Sequence, residues 1–257
     1  MEIIKFSSYN RKYLIPALRN HELFFNNISK FNDPFEGIFR FKLMNDKNKL
    51  KSFIANNFTS SRKSVQYYMD HTSELESKIN EMLEYRALNN AVSCFSLIDN
   101  LNNILMWAHY ANNHKGLCLV FKSDIIDFRP GQQLYEYNMA KGIGVSSPSG
   151  PFKVNYTDAY LGTDPINGNL NQATFLTTKF DDWKYEKEVR FIAPLVGSYS
   201  FNPISLKKVV FGLRTPLNYK TSIKNIIRKQ YNNVLFERIT LKDGHFAFET
   251  EVETFRN

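Results

Sequence analysis

The sequence predicts an α+β fold: a single domain with a mixed or antiparallel sheet at its core and a helical insertion. Short β-prone apolar runs recur along the chain, and amphipathic helix patterns lie between some of them. A polar, charged stretch with helical character interrupts them at residues 46–90. Neither an internal repeat nor a low-complexity tract occurs in the 257 residues, so we expect one domain over residues 1–257.

The strands are predicted from short runs of β-branched and aromatic residues. A closing hairpin is predicted across Asp243-Gly244, because Asp-Gly between apolar runs is a strong turn signal. The predicted strands are Ile3–Phe6, Leu23–Ile28, Ala91–Ser96, Leu117–Phe121, one near Val154–Tyr156, Lys208–Phe211, Val234–Leu241 and His245–Phe248.

The helices are predicted from apolar residues at three- and four-residue spacing. One begins at an N-cap on Asp99, and another begins at Pro216. Lys47–Phe58 and Ser61–Leu88 are polar and largely helical, which predicts a surface insertion. Residues 129–172 are rich in Gly, Pro, Ser and Asn and predict a long loop region. The two apolar helix faces consist of Leu101, Ile104, Leu105 and Ala108, and of Ile223, Ile226 and Ile227.

The charge of the chain favours polyanionic partners. Its net charge is +8 and its pI is about 9.3, which suits nucleic acid as a partner. The basic residues are dispersed, and the abundance of Asn indicates an AT-rich genome as the other explanation. The basic residues of the Pro216 helix form either a solvated face or a phosphate-binding surface. They are Lys220, Lys224, Arg228 and Lys229.

Cysteine usage and hydropathy indicate a cytoplasmic protein. Cys94 and Cys118 lie in apolar strand-like runs, which is typical of buried free thiols in a reducing compartment. The N-terminal region has no apolar segment of the kind found in signal peptides. No apolar run approaches the roughly 20 residues of a membrane span, so we expect no membrane association.

The segment Lys179–Ile192 contains two carboxylates two residues apart, at the start of an apolar, β-prone run. In a strand, Glu186, Glu188 and Arg190 would share one face, because side chains alternate. Two like charges on one face repel, so a fold needs a reason to hold them there. Either Arg190 completes a ladder of charges on a solvated face, or a substrate uses the two carboxylates.

Two earlier segments carry polar groups that bind ligands in many proteins. Ser93 and Ser96 lie in a predicted strand and at its end, where serines either cap a turn or bind a ligand amide. The following helix ends with Trp107–Tyr110, in which Trp107 and His109 lie about 200° apart and cannot both face the core. His109 is therefore either a packing residue or a binding residue.

A turn near the N-terminus is a further candidate. Asn32 and Asp33 precede Pro34, and Phe31 and Phe35 on either side would hold this polar tip rigidly. It is either a turn alone or part of a substrate site. The five His and two Cys lack zinc-ligand spacing, and no P-loop, dinucleotide fingerprint or nucleophile elbow occurs in the sequence. We therefore expect none of these chemistries.

Together these motifs resemble the bacterial family called domain of unknown function 2971. The resemblance rests on motifs that occur in order over most of the chain. They are the Phe31–Glu36 turn, Ser93–Ser96, Trp107–Tyr110 with Gly116, and Trp183–Arg190. The name of the family implies no activity.

A more distant resemblance is to mono-ADP-ribosyltransferases. These enzymes combine a basic or aromatic residue on an early strand, a serine-containing strand and a Glu-x-Glu strand, in that order. Lys5, the Ser93–Ser96 run, and Glu186 with Glu188 occupy comparable places. The resemblance implies NAD as a substrate and a toxin or phage-defence effector as the biological role, with nucleic acid or protein as the acceptor and an antitoxin or regulatory protein as a partner.

The same resemblance implies roles for individual residues. Glu188 would stabilise an oxocarbenium-like ribose and hold its hydroxyls, and Glu186 would act as a base or orient the acceptor. The residues implied to bind NAD are Lys5, Ser93, Ser96, Trp107 and Tyr110. The candidate residues for substrate binding are Asn32, Asp33, His109 and Arg190.

Two other functions fit the same residues. A Mg²⁺-dependent nuclease would gather four carboxylates around the metal ion. A non-catalytic module that binds nucleic acid or a protein partner would use Glu186 and Arg190 as a structural ion pair, with the aromatic motifs in the core. The carboxylates of the nuclease hypothesis are Asp33, Asp181, Glu186 and Glu188.

Overall fold

The computed structural model describes residues 1–10, 12–37, 46–58, 64–142, 144–158 and 172–253. The chain forms two compact units. The first comprises Met1–Asn26, Ala91–Val154 and Lys184–Asn257, and the second comprises Asn27–Asn90 and Asn155–Trp183. Helices accompany a large mixed, mostly antiparallel sheet, so the predicted α+β class is confirmed.

The strands are short and most are antiparallel to their neighbours. In chain order they are β1 Glu2–Ser7, β2 Glu22–Asn27, β3 Ala91–Leu97, β4 Leu117–Lys122, β5 Arg129–Pro130, β6 Ser149–Lys153, β7 Asn155–Thr157, β8 Thr178–Phe180, β9 Glu188–Ala193, β10 Gly197–Ser200, β11 Leu206–Phe211, β12 Leu235–Leu241 and β13 Phe248–Val252.

The helices range from a single turn to 17 residues. They are α1 Leu14–Asn20, α2 Lys47–Phe58, α3 Val65–Asp70, α4 Thr72–Leu88, α5 Ile104–Tyr110, α6 Gln132–Met139, α7 Gln172–Leu176 and α8 Leu217–Gln230. Short 3₁₀ helices lie at Ile28–Lys30, Ile98–Asn100, Ser123–Ile125, Asp181–Glu186 and Pro203–Ser205. Among the described residues, none of the helices is both long enough and apolar enough to cross a membrane.

The main sheet has the order β13-β12-β11-β4-β1-β3-β2-β10-β5, and β9 joins it by pairing with β3 and β6. The pairs β1–β3, β1–β4 and β3–β9 are antiparallel, whereas β11 and β12 are parallel. Neighbouring residues of β1 face different cores: Ile3 packs with Phe95 on one face of the sheet, and Ile4 packs with Trp107 and Cys118 on the other. This alternation is the period of two that a strand imposes.

The second unit has its own apolar core and a separate parallel pair of strands, β7 and β8. Helices α2, α3 and α4 occupy most of the segment 46–90, where we expected helices, although residues 59–63 lie outside the described residues. The core of this unit consists of Leu50, Phe53, Ile54, Tyr68, Leu75, Ile79 and Phe175.

The helix predicted from Asp99 is wrong in its start and in its buried face. A 3₁₀ turn occupies Ile98–Asn100, and α5 begins after Asn103, whose Oδ1 accepts the Leu105 N–H at 3.0 Å. Ile104 and Leu105 are consequently exposed, and α5 buries Met106 and Trp107 instead. Asparagine is a strong N-cap, and its position moves the helix start by several residues.

The long loop region predicted at 129–172 is also partly wrong. Besides β7, which matches the strand predicted near Val154–Tyr156, it contains β5, α6 and β6, while residues 143 and 159–171 lie outside the described residues. Helix α6 is mostly exposed and fully buries only Asn138, so it has no apolar stripe for a sequence pattern to reveal.

Candidate functional site

The first unit brings three of the predicted segments onto adjacent strands. Strand β3 lies between β1 and β9, with Ile4 opposite Ser96 in one ladder and Ser96 opposite Glu188 in the other. Further along the second ladder, Cys94 lies opposite Arg190. Opposite residues in a ladder project to the same face, so Ser96, Cys94, Glu188 and Arg190 share one side of the sheet, whereas Ser93, opposite Phe191, projects to the other side.

Lys5 joins β1 to β3 through its side chain. The ladder between the two strands consists of Ile3–Leu97 and Ile4–Ser96. At the next residue, Lys5 Nζ donates to Ser93 Oγ at 3.0 Å and to the Cys94 carbonyl at 2.9 Å. The same ammonium lies 4.9 Å from the centre of the Phe95 ring. Beyond Ile4, where the β1–β3 ladder ends, the charged side chain of Lys5 therefore makes the contact with β3.

The electrostatics of this cluster follow from its burial. Burial lowers the pKa of Lys5, while the neighbouring Cys94 and Glu188 act in the opposite direction. Burial also raises the pKa of the Cys94 thiol well above its usual range, and Glu188 adds to that effect. Cys94 is therefore a protonated thiol at neutral pH, which is a poor nucleophile.

Glu188 is held by Arg190 in a two-pronged ion pair. Glu188 Oε1 lies 2.9 Å from Arg190 Nε, and Oε2 lies 2.9 Å from Arg190 Nη2. Glu188 is 5% exposed and Arg190 is fully buried. A planar guanidinium matches both oxygens of a carboxylate, so this is the strong form of the interaction. Arg190 therefore neutralises Glu188 and fixes its orientation.

The expectation that Glu186 and Glu188 share a strand face is wrong. Asp181–Glu186 is a 3₁₀ helix, and the strand begins only at Glu188. Between them, Lys187 has a φ of 45°, in the left-handed region that ends regular structure. The Lys187 N–H donates to the Lys184 carbonyl at 3.2 Å, which closes the turn. The two carboxylates consequently have different partners.

Glu186 is buried against the start and the end of α5. Its Oε1 accepts a short hydrogen bond from the Tyr110 hydroxyl, and its backbone carbonyl accepts from Asn100 Nδ2 at 2.7 Å. Asn103 Nδ2 donates to the Tyr185 carbonyl at 3.1 Å. Two asparagines thus satisfy the last two carbonyl groups of the 3₁₀ segment.

The remaining members of the Trp107–Tyr110 motif differ in exposure. Trp107 is fully buried, its Nε1 donates to the Leu101 carbonyl at 2.7 Å, and its ring meets Phe6 edge to face at 5.1 Å. His109 is exposed, with its ring 6.4 Å from that of Tyr185. Trp107 is a core residue here, and His109 lies at the surface beside the Glu186 segment.

Asn32 and Asp33 belong to the second unit. Asn32 is exposed, whereas Asp33 is 3% exposed. Asp33 Oδ1 accepts the Phe35 N–H at 2.9 Å, as expected for an aspartate that shapes a turn. Nearby in the same unit, Glu36 and Lys179 form a buried ion pair at 3.1 Å.

The four carboxylates of the nuclease hypothesis are divided between the units, with Asp33 and Asp181 in the second and Glu186 and Glu188 in the first. Within the described ranges, no group of three or more His, Cys, Asp or Glu side chains is arranged to hold a metal ion. The described residues therefore provide no structural support for the nuclease hypothesis.

Two residues of this site are not among the predicted site residues. Cys94 was expected only as a buried thiol; it is partly buried, and its position opposite Arg190 depends on the register of β3 and β9. Asn100 was not considered, although a buried side-chain amide that binds a distant carbonyl is needed wherever irregular backbone is buried. Asn100 lies four residues before the first residue of α5, so the N-cap pattern of this helix does not mark it.

Comparison with known families matches residues 106–191 to the model described as "Protein of unknown function (DUF2971)". The comparisons found no match among curated proteins and none among solved structures. The matched span runs from α5 to β9 and includes Tyr110, Glu186, Glu188 and Arg190. The match over residues 106–191 supports a relationship of this chain to the DUF2971 family.

Proposed function

We propose that this chain is an NAD-consuming enzyme of the ADP-ribosyltransferase kind, with its site at the cluster of Lys5, Ser93, Ser96 and Glu188 on three adjacent strands. One observation carries the proposal. Lys5 Nζ lies 3.0 Å from Ser93 Oγ, on a strand whose Ser96 lies opposite Glu188 in the next strand. The three segments expected from the resemblance therefore meet on adjacent strands, although up to about 180 residues separate them along the chain.

The chemistry needs a positioned carboxylate and basic groups that bind phosphate. The bond between ribose C1′ and the nicotinamide nitrogen breaks, and nicotinamide leaves with the electron pair. The acceptor or water attacks C1′, and its proton passes to a base. A carboxylate beside the ribose stabilises the positive charge that develops in this step. Glu188 is assigned this role, and its orientation by Arg190 supplies the preorganisation that such stabilisation requires.

The charges of the cluster support a dinucleotide as the ligand. Arg190 pairs with Glu188, and the charge of Glu188 acts to raise the pKa of Lys5, although burial lowers that pKa by more. A bound pyrophosphate would compensate the burial of the ammonium, because an opposite charge favours the charged form. Lys5 is half-buried, whereas Ser93 and Glu188 are buried, so the anion approaches from the Lys5 side.

A second candidate function is a non-catalytic binding module. It is favoured by the same Glu188–Arg190 pair, since both oxygens of the carboxylate already have a partner at 2.9 Å. In that case the pair stabilises the sheet and takes no part in chemistry. The buried position of Trp107 agrees with this candidate as well, because the aromatic motif then serves packing.

The test is release of nicotinamide from NAD by the purified chain, with NAD binding measured by calorimetry. The informative variant is the double substitution Glu188→Gln with Arg190→Met, which removes the carboxylate without leaving an unpaired buried charge. We expect turnover to fall by about 100-fold or more, as for loss of a group that stabilises transition-state charge. Lys5→Met is expected to weaken NAD binding.

The matched control is Glu251→Gln with Arg238→Met, which makes the same two changes in an exposed ion pair of β12 and β13. It is expected to keep full turnover. If the wild-type chain neither binds NAD nor releases nicotinamide, the enzymatic proposal is overturned. If the Glu188/Arg190 double variant folds and turns over NAD normally, the cluster is not the site.

A further inference from the structure

Helices α1 and α8 of the first unit line a common groove, to which α8 presents a polar stripe. On α8, Ser222, Asn225 and Lys229 recur at spacings of three and four, which places them on one face of the helix. On α1, Ile15 and Arg19 are four residues apart and share a face in the same way. All five residues line one open groove of about 390 Å³.

The rest of α8 is occupied by other interactions. Ile223, Ile226 and Ile227 are buried, as the apolar stripe predicted. Lys220 and Lys224 both bind Glu253, at 3.1 and 3.4 Å. Of the four predicted basic residues, Lys220 and Lys224 are therefore ion-paired, Arg228 lies over the Phe236 ring, and Lys229 lines the groove.

The two cations of the groove are available for a ligand. In the part of the chain that the structure describes, neither Arg19 nor Lys229 has an ion pair, and both are exposed. The other lining residues are uncharged, so no carboxylate competes for these cations within the groove. They are Tyr9, Ile15, Ser222, Asn225, Ile226 and Gln230.

An aromatic pair closes one part of the groove. Tyr9, a lining residue, stacks on Tyr219 with ring centroids 3.7 Å apart and an angle of 16° between the rings. The pairing holds the Tyr9 ring in place, so it offers a fixed surface beside the cations. Proteins that bind single-stranded nucleic acids combine cations along the phosphate backbone with aromatic rings on which the bases stack.

We propose that the α1–α8 groove binds single-stranded nucleic acid. Arg19 and Lys229 contact two phosphates, a base lies against Tyr9, and Asn225 supplies hydrogen-bonding groups at the groove wall. A polymer fits better than a small phosphorylated ligand. The two cations are exposed and the groove is open, so a single phosphate would gain little, whereas repeated phosphate contacts release counterions at each position.

The test is fluorescence anisotropy with a labelled oligothymidylate of about 12 nucleotides, a length within the range of known single-strand sites. The variant is Arg19→Glu with Lys229→Glu in the full chain. We expect its affinity to fall by at least about 10-fold at low salt. The slope of log affinity against log salt should flatten by about 1.4, because each lost single-strand phosphate contact contributes about 0.7.

The matched control is Lys153→Glu with Lys242→Glu, which changes the net charge equally at two exposed lysines outside the groove. This control should keep its affinity for the oligonucleotide.

Tyr9→Leu should weaken binding of the oligonucleotide but not of inorganic polyphosphate, which has no bases. Equal losses in both charge-reversed variants, or an unchanged affinity in the groove variant, would overturn the proposal. Binding of polyphosphate as tight as that of the oligonucleotide would also overturn it. None of these readouts depends on turnover of NAD.

Discussion

Glu188 and Arg190 form a buried ion pair two residues apart on one strand, with both carboxylate oxygens 2.9 Å from guanidinium nitrogens. Residues at this spacing share a face of the strand, so the pair is built into the local sequence Glu-Val-Arg. Its burial has an energetic consequence. Two charges removed from water are tolerated together, but either one alone is strongly unfavourable.

The first prediction is that Glu188→Gln and Arg190→Met each destabilise the protein much more than the double substitution does. Each single change leaves one buried charge without its partner, which costs about 3–5 kcal/mol in the free energy of unfolding. The measurement is a double-mutant cycle by chemical denaturation. We expect a coupling energy of at least about 2 kcal/mol between the two residues.

The exposed pair Arg238–Glu251 provides the comparison, because its side chains are each 48% exposed. Its cycle should give a coupling energy below about 1 kcal/mol, as for other surface pairs. Additive effects at Glu188 and Arg190 would contradict the buried pairing.

The second prediction concerns Asn100, which holds the 3₁₀ segment before β9. Asn100 is buried, and its Nδ2 donates to the Glu186 carbonyl at 2.7 Å. Asn100→Ala leaves this carbonyl without that donor, so we expect a loss of about 1–3 kcal/mol in the free energy of unfolding. The exposed neighbour Asn102 is the control, and Asn102→Ala should change stability by less than about 0.5 kcal/mol. Equal effects of the two substitutions would show that the hydrogen bond is unimportant.

The strands of the site could be predicted from the sequence, but their pairing could not. In β4 the first five residues, Leu117–Phe121, are all buried, and such a run of apolar residues is a clear strand signal. The contact of Lys5 with Ser93 joins residues 88 positions apart. Sequence patterns report the local period of a chain, whereas this contact depends on the order and register of two strands, β1 and β3.

The error at Glu186 has a local cause. The prediction assumed an extended Lys187, and its φ of 45° breaks the alternation of side chains there. Lysine carries no signal for this conformation, which is more common for Gly, Asn and Asp. The tertiary hydrogen bonds of Asn100 and Asn103 to the segment Tyr185–Glu186 accompany the turn, and they come from residues more than 80 positions away.

The third prediction is a loss of stability in alkaline solution through Tyr199. This tyrosine is fully buried, and burial raises its pKa from 10.0 to about 12. The folded protein therefore keeps a proton that the unfolded chain loses above pH 10. Stability from this group is complete below pH 10 and is lost as the pH rises towards 12, with a slope of at most about 1.4 kcal/mol per pH unit.

The measurement is the free energy of unfolding between pH 9 and pH 12, for the wild type and for Tyr199→Phe. The variant should show a shallower decline, and Tyr135→Phe, at an exposed site, should behave as the wild type does. Burial raises the pKa of Tyr231 too, so part of the decline remains. Lys5 has the opposite sign, because its lowered pKa makes stability rise as the pH approaches 10.5. A decline of equal slope in Tyr199→Phe would contradict the assignment.

The fourth prediction is that Gly116 tolerates no side chain. A Cβ atom at this position would meet the Ser7 carbonyl oxygen in β1 and would lie 2.9 Å from the Ala111 carbonyl oxygen. Both obstacles are backbone atoms, so they cannot turn aside as a side chain can. The Gly116 carbonyl also accepts from the Gly212 N–H at 3.0 Å and from Thr215 Oγ1 at 2.6 Å, which fixes the strand start from a second side. Gly116→Ala should therefore lower the free energy of unfolding by more than about 2 kcal/mol.

Gly144→Ala is the matched control, since a Cβ there would have nothing within 4 Å, and it should leave stability unchanged or slightly higher. Denaturation of the two variants side by side decides the matter, because a harmless Gly116→Ala would mean that β1 and the α5–β4 turn do not approach each other as closely as described.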